Sequence, residues 1–180
     1  MEGWKIILII VGIILLYILI VRNKFVKLKN SIKNAKSTID VYLKQRFDLI
    51  PNLIEVVKGY SKHEEELFTS VVNARNEYLN SMSLKDAANT NEQMNKLIAL
   101  AEGYPELKAS EQYLNLQKQL VKMENQLQAA RRVYNSEVEV YNNAIMVVPS
   151  NLLAKLFGYK SEKYFELDSP GEAKNIEVKL

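Results

Sequence analysis

The sequence predicts an all-α protein, with one N-terminal transmembrane helix leading into a bundle of long, coiled-coil-like helices. Three observations predict it. An unbroken apolar run fills Ile6–Val21, and apolar residues then recur every three or four positions. Six glycines and four prolines in 180 residues leave little material for the turns of a sheet. On this reading the chain divides into a membrane anchor over 1–24, a helical bundle over 25–165 and a flexible tail over 166–180. The tail carries too few apolar residues to order itself.

The run IILIIVGIILLYILIV carries no charge, and only Tyr17 brings a polar atom. Trp4–Val21 spans 18 residues. As a helix that is about 27 Å, against a hydrocarbon core of about 30 Å. Trp4 suits one headgroup layer and Lys5 can snorkel to the same side, as Arg22 and Lys24 can at the other end. Trp4, Lys5, Ile6, Val21, Arg22 and Lys24 are therefore the expected anchor residues. A cleaved signal peptide has a shorter apolar region ending in small residues. Here the run passes straight into RNKFVKLKN, and the first alanine is Ala35. The chain has no cysteine, which excludes a lipoprotein anchor, disulfides and a thiol nucleophile.

Charge sets the orientation. Residues 1–36 hold seven basic side chains against Glu2, and the remainder holds 17 basic and 20 acidic ones. Lys5 alone precedes the span, and six basic residues follow it before the first acid, Asp40. The positive-inside rule then places the domain in the cytoplasm and a short N-terminus outside the cell membrane. The same cluster can meet anionic headgroups, although setting topology is explanation enough. A mildly acidic folded domain sets nucleic-acid binding aside. The lipid bilayer is the first expected partner.

Beyond the anchor, Phe25, Leu28, Ile32, Ala35, Ile39 and Tyr42 form one helix face that continues the membrane helix. Leu53, Val57, Tyr60, Leu67, Val71, Ala74 and Tyr78 form the next stripe. Pro51 lies between them. Asp48 can cap a new helix with Pro51 in its first turn, so the chain either kinks or turns back near Asp48–Pro51. Residues 83–91, SLKDAANTN, read as a loop. Thr90 and Gln93 have capping-box spacing for a helix over about 91–102 that carries Met94, Leu97, Ile98 and Ala101. Gly103 suits its C-terminal cap and Pro105 stops it.

A seven-residue repeat follows: Tyr113, Leu120, Leu127, Tyr134, Tyr141 and Val148, with Leu116, Met123, Ala130 and Ala144 on the second seam. Ser110 is the expected N-cap and Pro149 the stop, giving a helix over 111–147 packed as in a coiled coil. A second copy could share that burial. Ser150 is the expected cap of a short helix ending at Gly158, whose Leu152, Leu153, Leu156 and Phe157 would cover the open end of the bundle. Tyr159, Tyr164 and Phe165 add aromatic area.

Several segments carry a resemblance: RFDLIPNLIEVVKGYSKHE (46–64), ALAEGYPELKAS (99–110), ARRVYN (130–135), VPSN (148–151) and LFGYK (156–160), after Ile39–Asp40. In this order and spacing they resemble the LemA family of bacterial membrane proteins. The resemblance implies an antiparallel four-helix bundle behind an N-terminal membrane helix, with the chain turning back near Pro51. It implies no activity and no catalytic residues.

The residues themselves offer no convergent reactive set. His63 sits in KHEEE, whose charges spread over more than one helix face, as a solvated surface does. A carboxylate metal site would want repeated Glu-x-x-His pairs, and one histidine cannot supply them. Arg46, Glu64 and Glu137 fall on seam positions where apolar residues are expected, so each should be paired or reach solvent. Ion pairs that fix helix register are one reading, and a polar interior pocket is the other. The tyrosine stripe reads as core, with hydroxyls at the rim. The Tyr134–Asn135 and Tyr141–Asn142 repeat reads as cross-helix hydrogen bonding. The expected function is a non-enzymatic interaction or scaffolding module at the membrane that binds a protein partner or itself. The alternative is a ligand-binding or sensing bundle built around Arg46, Glu64 and Glu137. Neither an enzyme nor a cofactor is expected.

Overall fold

The apolar run and the first bundle face are one helix, α1, Gly3–Phe47. Its source is a computed structural model, which describes residues 3–61 and 63–165. The tail expected over 166–180 lies outside the described residues. From Trp4 to Ile20 every side chain of α1 except Ile18 is exposed, as suits a segment whose solvent is lipid. From Val21 onward the helix becomes two-faced, and Phe25, Ile32, Ala35, Ile39, Leu43 and Phe47 are buried.

Pro51 marks a kink. The Asp48 N–H donates to Lys44 O and the Leu49 N–H to Arg46 O, so one tightened turn joins α1 to α2, Ile50–Lys58. Proline near the start of α2 loses no hydrogen bond there. Asp48 does not cap α2: Leu49 holds that position without a side-chain bond. The chain reverses later, over Gly59–Glu64. Lys58 then lies over the Phe68 ring at 5.3 Å, and Phe47 meets Tyr78 edge-on at 5.0 Å. The helix α3, Glu65–Ser81, thus returns antiparallel to α2 and the end of α1. The expected stripe through Tyr60 is broken at this reversal, and Tyr60 is exposed.

The expected loop at 83–91 is helical. The helix α4 runs Leu84–Glu102, and Ser83 is its N-cap, accepting from the Asp86 N–H at 3.1 Å. Ser-x-x-Asp is the same capping signal as Thr-x-x-Gln, placed seven residues earlier. Thr90 instead extends the buried stripe of Ala87, Met94, Leu97 and Ala101. Its hydroxyl is spent on the carbonyls of Ala74 and Asp86 at 2.9 and 2.8 Å, so it packs as an apolar residue would. Gly103 takes the C-cap with an ordinary φ of −72°. Pro105 opens the single turn α5, Pro105–Lys108, which buries Leu107.

The helix α6 spans Glu111–Met146, with the Tyr113 N–H donating to the Ser110 hydroxyl. Tyr113, Leu116, Leu120, Leu127 and Ala130 are buried in heptad register. Further on, the buried second-seam positions are Val138 and Ile145 rather than Glu137 and Ala144. A straight helix drifts about 20° per heptad against a strict 3.5-residue repeat, which moves burial one position onward. Val148 is exposed. Ser150 does not cap the short helix α7, Ser150–Leu156, but lies inside it. Its hydroxyl donates to Ala144 O and Val147 O, closing the end of α6.

The chain forms two compact units. Thr38–Ala129 is a helical bundle of the end of α1 with α2, then α3, α4 and the first half of α6. Residues 3–37 with 130–165 form the other. Its core is Val21, Phe25, Ile32, Val138, Tyr141, Ile145 and Ala154.

Candidate functional site

Of the polar groups singled out by sequence, Arg46 and Glu64 lie in one unit and Glu137 in the other. Arg46, only 13% exposed, forms an ion pair with Glu124, a residue the seam pattern does not mark. Glu64 precedes α3 at the chain reversal, and its carbonyl accepts from the Phe68 N–H at 3.1 Å. Glu137 is half-buried on α6, in the other unit. The bundle of Thr38–Ala129 carries an open pocket of about 290 Å³ between α2 and α3, lined by Ile54, Lys58, Glu65, Phe68 and Val72. Neither Arg46 nor Glu64 lines it. His63 is exposed at the reversal, not on a helix face. Among the described residues no group of three His, Cys, Asp or Glu side chains is placed to hold a metal ion.

Arg75 escapes the sequence pattern. Its Nε donates to Phe47 O at 3.0 Å and its guanidinium pairs with the Asp48 carboxylate at 2.7 Å. It thereby satisfies an end carbonyl of α1 that the kink leaves open. Both partners lie in the RFD motif, but nothing in the local pattern of α3 points to them.

The tyrosines divide into two kinds. Tyr78 and Tyr113 are fully buried, and their hydroxyls have no hydrogen-bond partner among the described residues. Burial, with the Asp40 carboxylate adding to it, pushes the Tyr78 phenol up to about 12. An unfolded phenol ionises near pH 10. Between those values the folded state keeps a proton that the unfolded chain has lost. The stabilisation is therefore whole below about pH 10 and is lost as pH rises through about 12. Tyr78→Phe should match or exceed the wild type at pH 8, and should lose less stability between pH 9 and 11.5. Thermal melts across that range, read as the difference between the two proteins, check this.

Tyr134 and Tyr141 do something else. With Asn135 and Asn142 they hold the backbone of the extended segment 159–165. The Asn142 amide donates to Glu162 O at 3.0 Å while its oxygen accepts from the Glu162 N–H at 2.9 Å. Asn135 repeats this on Phe165, at 3.2 and 2.7 Å. The Tyr141 and Tyr134 hydroxyls donate to Lys160 O and Lys163 O. A seven-residue step on α6 covers about 10.5 Å, which is three residues of extended chain. The repeat therefore acts as two matched clamps on a strand-like segment. These bonds do not run to a neighbouring helix, as the sequence suggested. Phe165 also lies under the Arg131 guanidinium at 4.8 Å and edge-on to Tyr134.

The anchor residues fall at two levels. Trp4, Lys5 and Ile6 are exposed on the first turns of α1. At the far end Val21 turns into the core, Arg22 and Lys24 stay exposed, and the Arg22 guanidinium lies 6.0 Å from the Phe157 ring centroid. One N-terminal helix is thus long and apolar enough to cross a membrane. Together with the bundle, it defines a class of membrane-associated helical proteins. Comparison with known proteins names the class. The LemA family profile matches residues 35–180, and the chain belongs to the LemA family. It is 23% identical over 188 residues to Magnetosome protein MamQ 2 of Paramagnetospirillum magneticum, covering 88% of this chain and 69% of that one. Magnetosome protein MamQ of Magnetospirillum gryphiswaldense is 22% identical over 83% of this chain and 66% of its own length. Protein LemA of Metamycoplasma hominis is 25% identical over 74% of this chain and 64% of its own.

Proposed function

We propose that this protein is a single-pass membrane protein that presents a helical bundle at the cytoplasmic surface as a non-enzymatic interaction or scaffolding module. One observation carries the reading. The helix α1 passes from exposed apolar residues into the core of a folded unit with no linker, since Val21 and Phe25 pack with Val138, Tyr141 and Ile145. A folded unit joined to the span this way stays at the bilayer, which serves assembly better than free diffusion does. The exposed apolar residues of α6, Leu114, Val121, Val133 and Val140, lie outside its buried seam and are available to a protein partner or to a second copy.

Cross-linking in native membranes, followed by recovery of the full chain, should return a reproducible partner or the chain itself. Recovery of neither would argue strongly against scaffolding. The orientation rests on the six basic residues after the span against Lys5 before it. A protease added outside intact cells should leave the bundle whole; its digestion there would reverse the topology.

A further inference from the structure

We propose that the corner between α6 and α7 is a second lipid-contacting element, dipping into the same leaflet that the span leaves. The inference rests on the reading that α1 crosses a membrane. It starts from exposure: Met146, Val147, Val148, Leu152 and Leu156 are 59–73% exposed, and Phe157 is 42% exposed. The apolar pattern predicts that Leu152, Leu156 and Phe157 cover the end of the bundle, and they do not. Only Ala154 is buried and Leu153 half-buried. Elsewhere on α6 the exposed valines stand beside charge, Val121 beside Lys122, Val133 beside Arg132 and Val140 beside Glu139. Here six of them fall within twelve residues.

The position of this corner along α1 names its occupant. Arg22 meets Phe157, Phe25 meets Tyr159 at 5.0 Å, and Lys29 meets Glu162 at 3.5 Å. The segment 157–165 therefore runs in the same direction as α1, away from the span. Tyr141 bonds Lys160 and Asn142 bonds Glu162, while Asn135 bonds Phe165. The helix α6 therefore runs toward the span. Past Ile145, which shares a cluster with Val21, α6 ends at Met146, and Val147, whose N–H still donates to Asn143 O, and Val148 lead from that end into α7. Ile18, inside the apolar run, is the one residue from Trp4 to Ile20 that is partly covered. The corner thus sits at the level where the span ends.

Its charge fits lipid as well. No acid occurs between Glu139 and Glu162, and the interval holds only Lys155 and Lys160. Apolar side chains flanked by lysines suit the boundary between acyl chains and anionic headgroups.

The test places a single tryptophan in the full chain, on a Trp4→Phe background, reconstituted in vesicles of phosphatidylcholine and phosphatidylglycerol. Leu156→Trp reports the corner, Ile13→Trp the span and Val133→Trp an exposed site on α6. The measurement is emission maximum and quenching by lipids brominated on their acyl chains. Leu156→Trp and Ile13→Trp should both be blue-shifted and lose roughly half their emission, Leu156→Trp from a depth of ~5–10 Å below the headgroups and Ile13→Trp from the middle of the span, with Val133→Trp unaffected. Quenching of Ile13→Trp alone overturns the proposal and spares the span. If Ile13→Trp is not quenched, the span reading fails with it. A blue-shifted Leu156→Trp indifferent to brominated lipid means protein covers the corner, which overturns the proposal. Quenching of Val133→Trp to the same extent also overturns it, because contact would then not be confined to the corner.

Discussion

Phe47→Ala is expected to cost about 3–5 kcal/mol, which is the loss for deleting a fully buried phenylalanine that its surroundings cannot fill. Phe47 has no exposed surface and sits at the kink, edge-on to Tyr78 at 5.0 Å and 83°. Its own carbonyl is held by Arg75, so the backbone cannot easily move in to close the gap. The aromatic pair adds about 0.5–1.5 kcal/mol beyond the area buried. For a chain of this size each kcal/mol shifts the melting midpoint by about 2–4 °C. The full chain in detergent should therefore melt roughly 10 °C lower, followed by circular dichroism. Phe47→Leu, which keeps most of the volume, should cost about 1 kcal/mol. Equal losses from both substitutions would show that the ring pair and cavity are not what matters there.

The fold is legible wherever burial follows a simple period. The stripe Phe25, Ile32, Ala35, Ile39 and the seam residues Tyr113, Leu116, Leu120, Leu127 and Ala130 are buried as their spacing predicts, with Met123 half-buried among them, because burial of apolar surface dominates those positions. The pattern fails where a polar residue takes a structural post. Ser83 and Thr90 look like loop residues in SLKDAANT, yet one caps α4 and the other packs inside it with its hydroxyl satisfied. Ser150 looks like an N-cap and instead closes the preceding helix. The kink at Pro51 and the reversal at Gly59–Glu64 read as one event in the sequence, because proline is the louder local signal. Gly59 gives only a weak one.

The candidate site is less legible, for a physical reason. Arg46 stands out because it breaks an apolar stripe, but its partner Glu124 is a hydrophilic residue at a position that breaks nothing. Arg75 reaches a carbonyl 28 residues earlier, and backbone acceptors leave no trace in a sequence. The Tyr–Asn repeat is visible as a seven-residue echo. Its target is not, because an asparagine that clamps a backbone fits any residue there. Glu162 and Phe165 are gripped through their peptide groups, so nothing about their side chains marks them.

That indifference to side chains makes the clamp testable. Asn142 is only 9% exposed and serves both peptide groups of Glu162; Asn135 serves both of Phe165. Replacing either with alanine removes two hydrogen bonds worth about 1 kcal/mol each, so Asn135→Ala with Asn142→Ala should weaken the hold on 159–165 by about 2–4 kcal/mol. Tenfold in opening follows from every 1.4 kcal/mol, so trypsin should cut at Lys160 and Lys163 roughly 30-fold faster or more when opening precedes cleavage. Hydrogen exchange gives the finer reading. The amides of Glu162 and Phe165 should lose protection first, since each donates to an asparagine oxygen and not to a helix carbonyl. Asn142→Asp keeps that acceptor but loses the amide donor, and brings a carboxylate toward Glu162 O. It should speed cleavage while leaving part of the protection at the Glu162 amide. If the double variant digests and exchanges like the wild type, the packing of Tyr159 on Phe25 and of Phe165 on Tyr134 holds the segment without the clamps.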